Sequence, residues 1–283
     1  MHCNSIFRKG AFFIIGTMLF LGACKSNSST TLSNVDDNGG YASDASRIEW
    51  ASNDVISIAD IAGLYYNGSN LRTTHTTLGR SATVATDTLS SPHTLIIRFD
   101  STKCLDNRYR SGAIIISYDG EYTDSGKVHT ITFDHYYVNG NQLGGTLKTI
   151  RIDTTVTGDW YYKVSVNETM NMNQTPLQSQ IITWQGGLVR KWVQGFDTHS
   201  DRSDDAFSIS GSATLTRANG HVFSFDISTP LQFAMSCDFA ESGVANVSGT
   251  ISPIRILNYG AGNCDPTAQV SIGATVYGVT MIQ

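Results

Sequence analysis

The chain has 283 residues, of which 40% are hydrophobic and only 15% charged, with a formal net charge of −5. Soluble domains average about 25% charged residues; here Ser, Thr, Asn and 26 Gly fill the difference, and Pro numbers only 5. This composition excludes a collagen-like chain, a coiled coil and a charge-driven disordered protein, and no run of basic residues is present to grip phosphates.

Arg8 and Lys9 open the chain's first pattern, followed by an apolar stretch from Ala11 to Leu21. A membrane-spanning helix needs about 20 apolar residues, so this stretch has instead the length of a secretory h-region. Leu21-Gly22-Ala23-Cys24 comes next and resembles the bacterial lipobox, in which a Cys becomes the first mature residue and its thiol carries a diacylglycerol. The expectation is a lipoprotein signal peptide over residues 1–23, cleavage between Ala23 and Cys24, and lipidation of Cys24. Cys3 has no apolar segment before it. Cleavage would leave 17 Lys and Arg against 24 Asp and Glu, a net charge of −7. A body of that charge suits neither nucleic acid nor an anionic lipid surface, so membrane contact should come from the acyl chains. Lys25 and Ser26, without an Asp at the second mature position, are compatible with delivery to the outer membrane, on either its periplasmic or its surface side.

Residues 24–46 comprise that Cys and a Ser/Thr/Asn/Gly-rich run with too few apolar groups to offset the entropy of ordering, which predicts a flexible tether. Residues 47–93 read as a helical and irregular lead-in. Within it, Val55, Ile58, Ile61, Ala62 and Tyr65 fall at helical spacing and predict one short helix over 47–66, with Ser52, Asn53 or Asp54 as its cap.

From residue 94 the period becomes two. Phe207, Ile209, Ala213 and Leu215 alternate with Ser and Thr, the pattern of a strand with one wet face. Asn219-Gly220 and Asn139-Gly140 sit between alternating runs, where both residue types tolerate positive φ in a hairpin turn; Gly273-Ala274 turns the last pair. Further strands are expected at Gln180–Trp184, Leu188–Gln194, Phe223–Ser228 and Leu231–Met235, among others, for about thirteen in all. Short connections force antiparallel neighbours, so residues 94–283 form an all-β domain, a long antiparallel meander arranged as a sandwich or a curled sheet.

Cys104-Leu105-Asp106-Asn107 with Arg110-Ser111-Gly112, Ile131-Thr132-Phe133 with Tyr136 to Asn141, Trp192 to Asp197, and Asn258-Tyr259-Gly260 with Cys264-Asp265 together resemble a group of secreted lipoproteins common in Bacteroidota. The resemblance covers residues 94–283. It implies an envelope protein of β structure, and no activity or catalytic residue comes with it.

Beyond Cys24, the mature region holds Cys104, Cys237 and Cys264. Export to an oxidising compartment favours one disulfide among them, and spacing does not choose the pair. None has C-x-x-C spacing, so no metal site is expected. His129 and His135 are six apart on one strand, roughly 20 Å, which places them on one face but too far apart for one ion. The loop from Asp197 to Asp205 is the densest acidic cluster and lacks the spacing of a calcium loop. Trp160, Tyr161, Tyr162, Trp184 and Trp192 could stack on sugars, although alternation parts Tyr161 from its neighbours. G-x-S-x-G, H-E-x-x-H, P-loop and G-x-G-x-x-G motifs are absent, and no cofactor is implied.

The resulting expectation is a lipid-anchored cell-envelope β protein that serves as a structural or ligand-binding module. Its partners would be the membrane, through Cys24, and an envelope protein or glycan, with loops 101–111, 196–206 and 260–267 forming a binding rim. One alternative is a periplasmic carrier whose curled sheet holds an acyl chain; the other is an envelope glycan hydrolase using paired carboxylates.

Overall fold

The computed structural model describes residues 40–65, 71–72, 82–104, 106–153, 160–173, 179–195, 198, 203–249 and 253–281. The first element is helix α1, Gly40–Tyr65, 26 residues long, or about 39 Å at the α-helical rise. Alanines 42, 45, 51, 59 and 62 favour it locally, and no Pro interrupts it. It is buried from Tyr41 to Gly63 without a solvent-facing stripe. Ile48, Val55 and Ile58 are inside, and so are Glu49, Ser52, Asp54, Ser57 and Asp60. A helix that is polar on several faces and buried on all of them must find its partners in whatever surrounds it.

Among the described residues, what surrounds it is one sheet of fourteen antiparallel strands in sequence order. They are β1 (Leu71–Arg72), β2 (Ala82–Asp87), β3 (His93–Lys103), β4 (Tyr109–Tyr118), β5 (Val128–Val138), β6 (Asn141–Asp153) and β7 (Trp160–Asn173). Then come β8 (Ser179–Gln194), β9 (Ala206–Arg217), β10 (Val222–Ala234), β11 (Ser242–Gly249), β12 (Arg255–Ala261), β13 (Thr267–Ile272) and β14 (Thr275–Thr280). β1 and β14 are the edges. Side chains of α1 meet partners on β4, β7, β8, β9, β10 and β12, so the sheet curls around the helix. Among the described residues the fold is therefore an all-β meander with a single N-terminal helix, and its concave face is filled by that helix. Residues Asp36–Gln283 form one compact unit. Among the described residues no helix is long and apolar enough to cross a membrane.

The alternation of apolar and polar residues translates directly into rows across the sheet. Leu147, Val166, Gly186, Ala213, Phe225 and Val247 lie opposite one another in turn and face inward. The neighbouring row, Thr146, Asn167, Gln185, Thr214, Ser224 and Ser248, faces outward. The wet face is thus built of short uncharged polar groups.

Several expectations change. The helix begins at Gly40, so Gly40–Ser46 belongs to α1 rather than to a tether. Ser52, Asn53 and Asp54 are not caps; they lie in mid-helix. Ser52 Oγ and Asn53 Nδ2 donate back to the carbonyls of Ile48 and Glu49 at 2.8 and 3.0 Å, the intrahelical bond available to such side chains. The lead-in contains strands β1 and β2, and α1 is inside the β body instead of preceding it. Gln180–Trp184 and Leu188–Gln194 are one strand, β8. Gly186 makes no turn: a Cβ there would lie 2.5 Å from the Ala213 Cα, so glycine lets β8 and β9 approach. Phe223–Ser228 and Leu231–Met235 likewise merge into β10, with register shifts around Ser228 to Pro230. Residues 1–39, which include the expected signal peptide, Ala23 and Cys24, lie outside the described residues.

Candidate functional site

The polar side chains of α1 meet the inner face of the sheet in three clusters. In the first, Glu49 sits one turn from Ser52, whose hydroxyl oxygen is hydrogen-bonded to the carboxyl group of Glu168 of β7. Both carboxyl groups are fully buried, and each keeps one oxygen without a hydrogen-bond partner. Burial pushes Glu49 up to about 7, against the opposing amide of Asn53. It pushes Glu168 up to about 8, with the charge of Glu49 adding to the rise. Both are protonated acids over much of the neutral range.

The second cluster is ionic. Arg110 of β4 reaches Asp54 through Nη2 at 2.8 Å and Nε at 3.3 Å. It also contacts Asp106 at 2.8 Å. Arg108 adds contacts to Asp106 at 3.1 Å and to Asp238, while its guanidinium lies 4.4 Å from the Trp50 ring centre.

The third lies toward the end of the helix. Asp60 accepts from Tyr162 Oη at 2.9 Å, Tyr122 Oη at 3.3 Å and Arg190 Nη1 at 3.4 Å. Arg190 Nη2 also donates to Ser57 Oγ at 2.5 Å. Burial raises the Asp60 carboxyl above its ordinary range, with Arg190 the main opposing influence. A small cleft opens here, lined by Ser57, Asp60, Ile61, Leu64, Trp192, Asp205 and Phe207.

That cleft decides the question of a sugar platform. Trp160 and Trp192 stack with ring centres 6.0 Å apart, and Trp192 meets Phe207 at 5.5 Å. Arg151 lies 3.4 Å from the Trp160 ring centre and Arg190 3.5 Å from that of Phe207. The ladder Arg151–Trp160–Trp192–Phe207–Arg190 crosses β6 to β9 with a cation at each end, so its aromatic faces are largely covered from within. Tyr162 points inward at Asp60, Trp184 is fully buried against Phe225 at 5.5 Å, and Tyr161 is on the other face. The five aromatics do not converge on one exposed platform.

The disulfide joins Cys237 to Cys264, and Cys104 stands outside it as a buried thiol. His129 and His135 do not share a face. A register shift between Thr132 and Tyr137 reverses the alternation, leaving His129 inside and His135 outside. His129 packs between Tyr118 and Tyr122, at 5.6 and 4.3 Å, and burial, assisted by Arg151, lowers it to about 4. Of the acidic loop, Thr198 donates to Asp204 at 2.6 Å and Asp205 is buried; Asp197, His199, Ser200, Asp201 and Arg202 lie outside the described residues. Loop 101–111 meets the β10–β11 connection through Arg108 and Asp238, and that connection is joined to 260–267 by the Cys237–Cys264 disulfide and to Asp205 of 196–206 by the Met235 N–H.

Asp60, Glu168 and Arg190 were not singled out by sequence; Asp54 entered only as a candidate cap, and Arg110 only within the segments that carry the resemblance. The available signal was a charged residue at an inward position of an alternating strand, as Glu168 is between Val166 and Met170 and Arg190 is after Leu188. Comparison with known protein families, curated proteins and solved structures finds no match.

Proposed function

We propose that this chain is a lipid-anchored protein of the bacterial cell envelope, one of the Bacteroidota-type secreted lipoproteins it resembles, acting as a structural or ligand-binding module. The observation that carries the module reading is α1 itself. The concave face of the sheet, where a carrier would store an acyl chain, is packed with a helix whose polar groups are matched to the wall. The acyl-carrier alternative would need that helix to leave. The Leu21-Gly22-Ala23-Cys24 motif supports lipidation, and the Cys237–Cys264 pair accords with an oxidising compartment.

One observation favours a glycan hydrolase as the second reading. The cleft beside Trp192 is lined by two carboxylates, Asp60 and Asp205, and burial raises the first. Asp60, however, is bound by two tyrosines and an arginine, the arrangement of a structural hub.

Fractionation of cells carrying the full chain tests the anchor: Cys24→Ala should move the protein from the membrane to the soluble fraction, and retention in the membrane rejects lipidation. Turnover of envelope glycan by the intact protein, lost in both Asp60→Asn and Asp205→Asn, would replace the module reading with the hydrolase.

A further inference from the structure

We propose that Cys237, Cys264 and Glu241 form a binding site for a zinc-class divalent cation once their disulfide is reduced. The two sulfur atoms and a Glu241 carboxylate oxygen lie within 4.8 Å of one another. Ligands around tetrahedral Zn²⁺, with Zn–S near 2.3 Å, sit about 3.8 Å apart. The Cα atoms of the two cysteines are 5.6 Å apart, so side-chain rotation alone separates the sulfurs to that spacing.

The backbone holds the third ligand between the two cysteine-bearing connections. Glu241 N–H donates to the Gln232 carbonyl at 2.8 Å, and the Glu241 carbonyl accepts from Gly262 N–H at 2.9 Å. One bond ties Glu241 to β10, which leads to Cys237; the other ties it to the segment that leads to Cys264. Cys237 is buried, Glu241 half-buried and Cys264 exposed, which gives a closed back and an open front where water can take the fourth position. The neighbouring carboxylates are engaged elsewhere: Asp238 with Arg108, and Asp265 with the hydroxyl and N–H of Thr267. The carboxylate of Glu241 has no hydrogen bond among the described residues, and one of its oxygens lies within 4.8 Å of both sulfurs. Sequence spacing hides the set, because the cysteines are 27 residues apart and meet only through the meander.

The step needs a dithiol reductant. One of its thiolates attacks the exposed Cys264 sulfur, and Cys237 leaves as a thiolate. The second reductant thiol, as thiolate, then displaces Cys264, closing the reductant's own disulfide. Two electrons have passed to the protein, giving two thiols, and the cation displaces their two protons on binding. In the oxidised form neither sulfur carries the charge that a thiolate ligand supplies, so the site exists only after reduction.

The test is titration of the folded mature chain with Co²⁺ as a spectroscopic stand-in for Zn²⁺, before and after dithiol reduction, with circular dichroism to follow the fold. The reduced protein should take up one equivalent with a thiolate-to-metal charge-transfer band, and the oxidised protein none. Glu241→Gln keeps the disulfide chemistry and should weaken binding about tenfold or more, as loss of a supporting group at a metal site does. Cys264→Ser should abolish the band, and Cys104→Ser should leave it intact. The proposal is overturned if the reduced chain unfolds or shows no band, if Glu241→Gln binds as tightly as the parent, or if the band depends on Cys104.

Discussion

Arg110 and Asp54 face each other inside the curled sheet, guanidinium to carboxylate at 2.8 Å, with side-chain exposures of 0% and 1%. Removing the Asp54 charge leaves the fully buried Arg110 with Asp106 alone as a direct counter-charge. Asp54→Asn should therefore cost about 3–5 kcal/mol. The pair is also replaceable in principle, so Asp54→Leu combined with Arg110→Met should cost less than the two single changes added together. Urea unfolding of the parent and the four variants checks both statements, and a midpoint unchanged in Asp54→Asn would reject them.

Glu168 sets a pH dependence whose sign follows from its raised carboxyl. The folded chain holds a proton there up to about 8, and at Glu49 up to about 7, whereas the unfolded chain releases both near 4.5. Their contribution is complete below the unfolded value and is lost as pH rises through the folded ones. Glu168→Gln keeps a hydrogen-bonding partner for Ser52 and removes one titration. It should match the parent near pH 5 and exceed it at about pH 9 by on the order of 5 °C in Tm. Parallel melting curves of parent and variant across that range would count against the assignment.

The disulfide encloses a 27-residue separation, so Cys264→Ser should lower stability by about 3 kcal/mol in the chain-entropy account. Thiol titration of the denatured, unreduced chain from residue 25 onward should find one reactive group, contributed by Cys104. Three would mean that Cys237 and Cys264 are unpaired in solution.

Gly112 stands at the β4–β5 irregularity with φ of +79°, and a Cβ there would come within 1.9 Å of the His135 carbonyl oxygen. Gly112→Ala should destabilise by roughly 3 kcal/mol or more, since left-handed strain and a backbone clash act together. An alanine variant that melts with the parent would mean the strand has slipped register without loss.

The meander was legible because each strand has one wet face. Ser208, Ser210, Ser212 and Thr214 stand out against Phe207, Ile209, Ala213 and Leu215, and Asn139-Gly140 turns where its type predicts, with φ of +49° and +82°. The helix was legible only in its apolar half. Asp44 and Ser46 look like a tether and Ser52 like a cap, because polar residues usually meet water. Their partners are Arg217, Tyr259 and Glu168, 173, 213 and 116 residues away, and no local pattern reports a contact at that distance. His135 was misplaced for a related reason. A bulge is a two-strand event, decided by Gly112 on β4 as much as by β5 itself.

Helix α1 comes before every strand, yet its partners extend to Tyr259 of β12. A chain delivered from its N-terminus therefore presents α1 first, and the groups that satisfy it arrive last. Until β12 is in place, the buried serines and carboxylates of α1 have no complete enclosure, and contacts of such sequence separation form slowly. Ordering of the interior is thus a late, chain-wide event: loss of the last few strands would undo the setting of the first helix, and quality control at either end would read the state of the other.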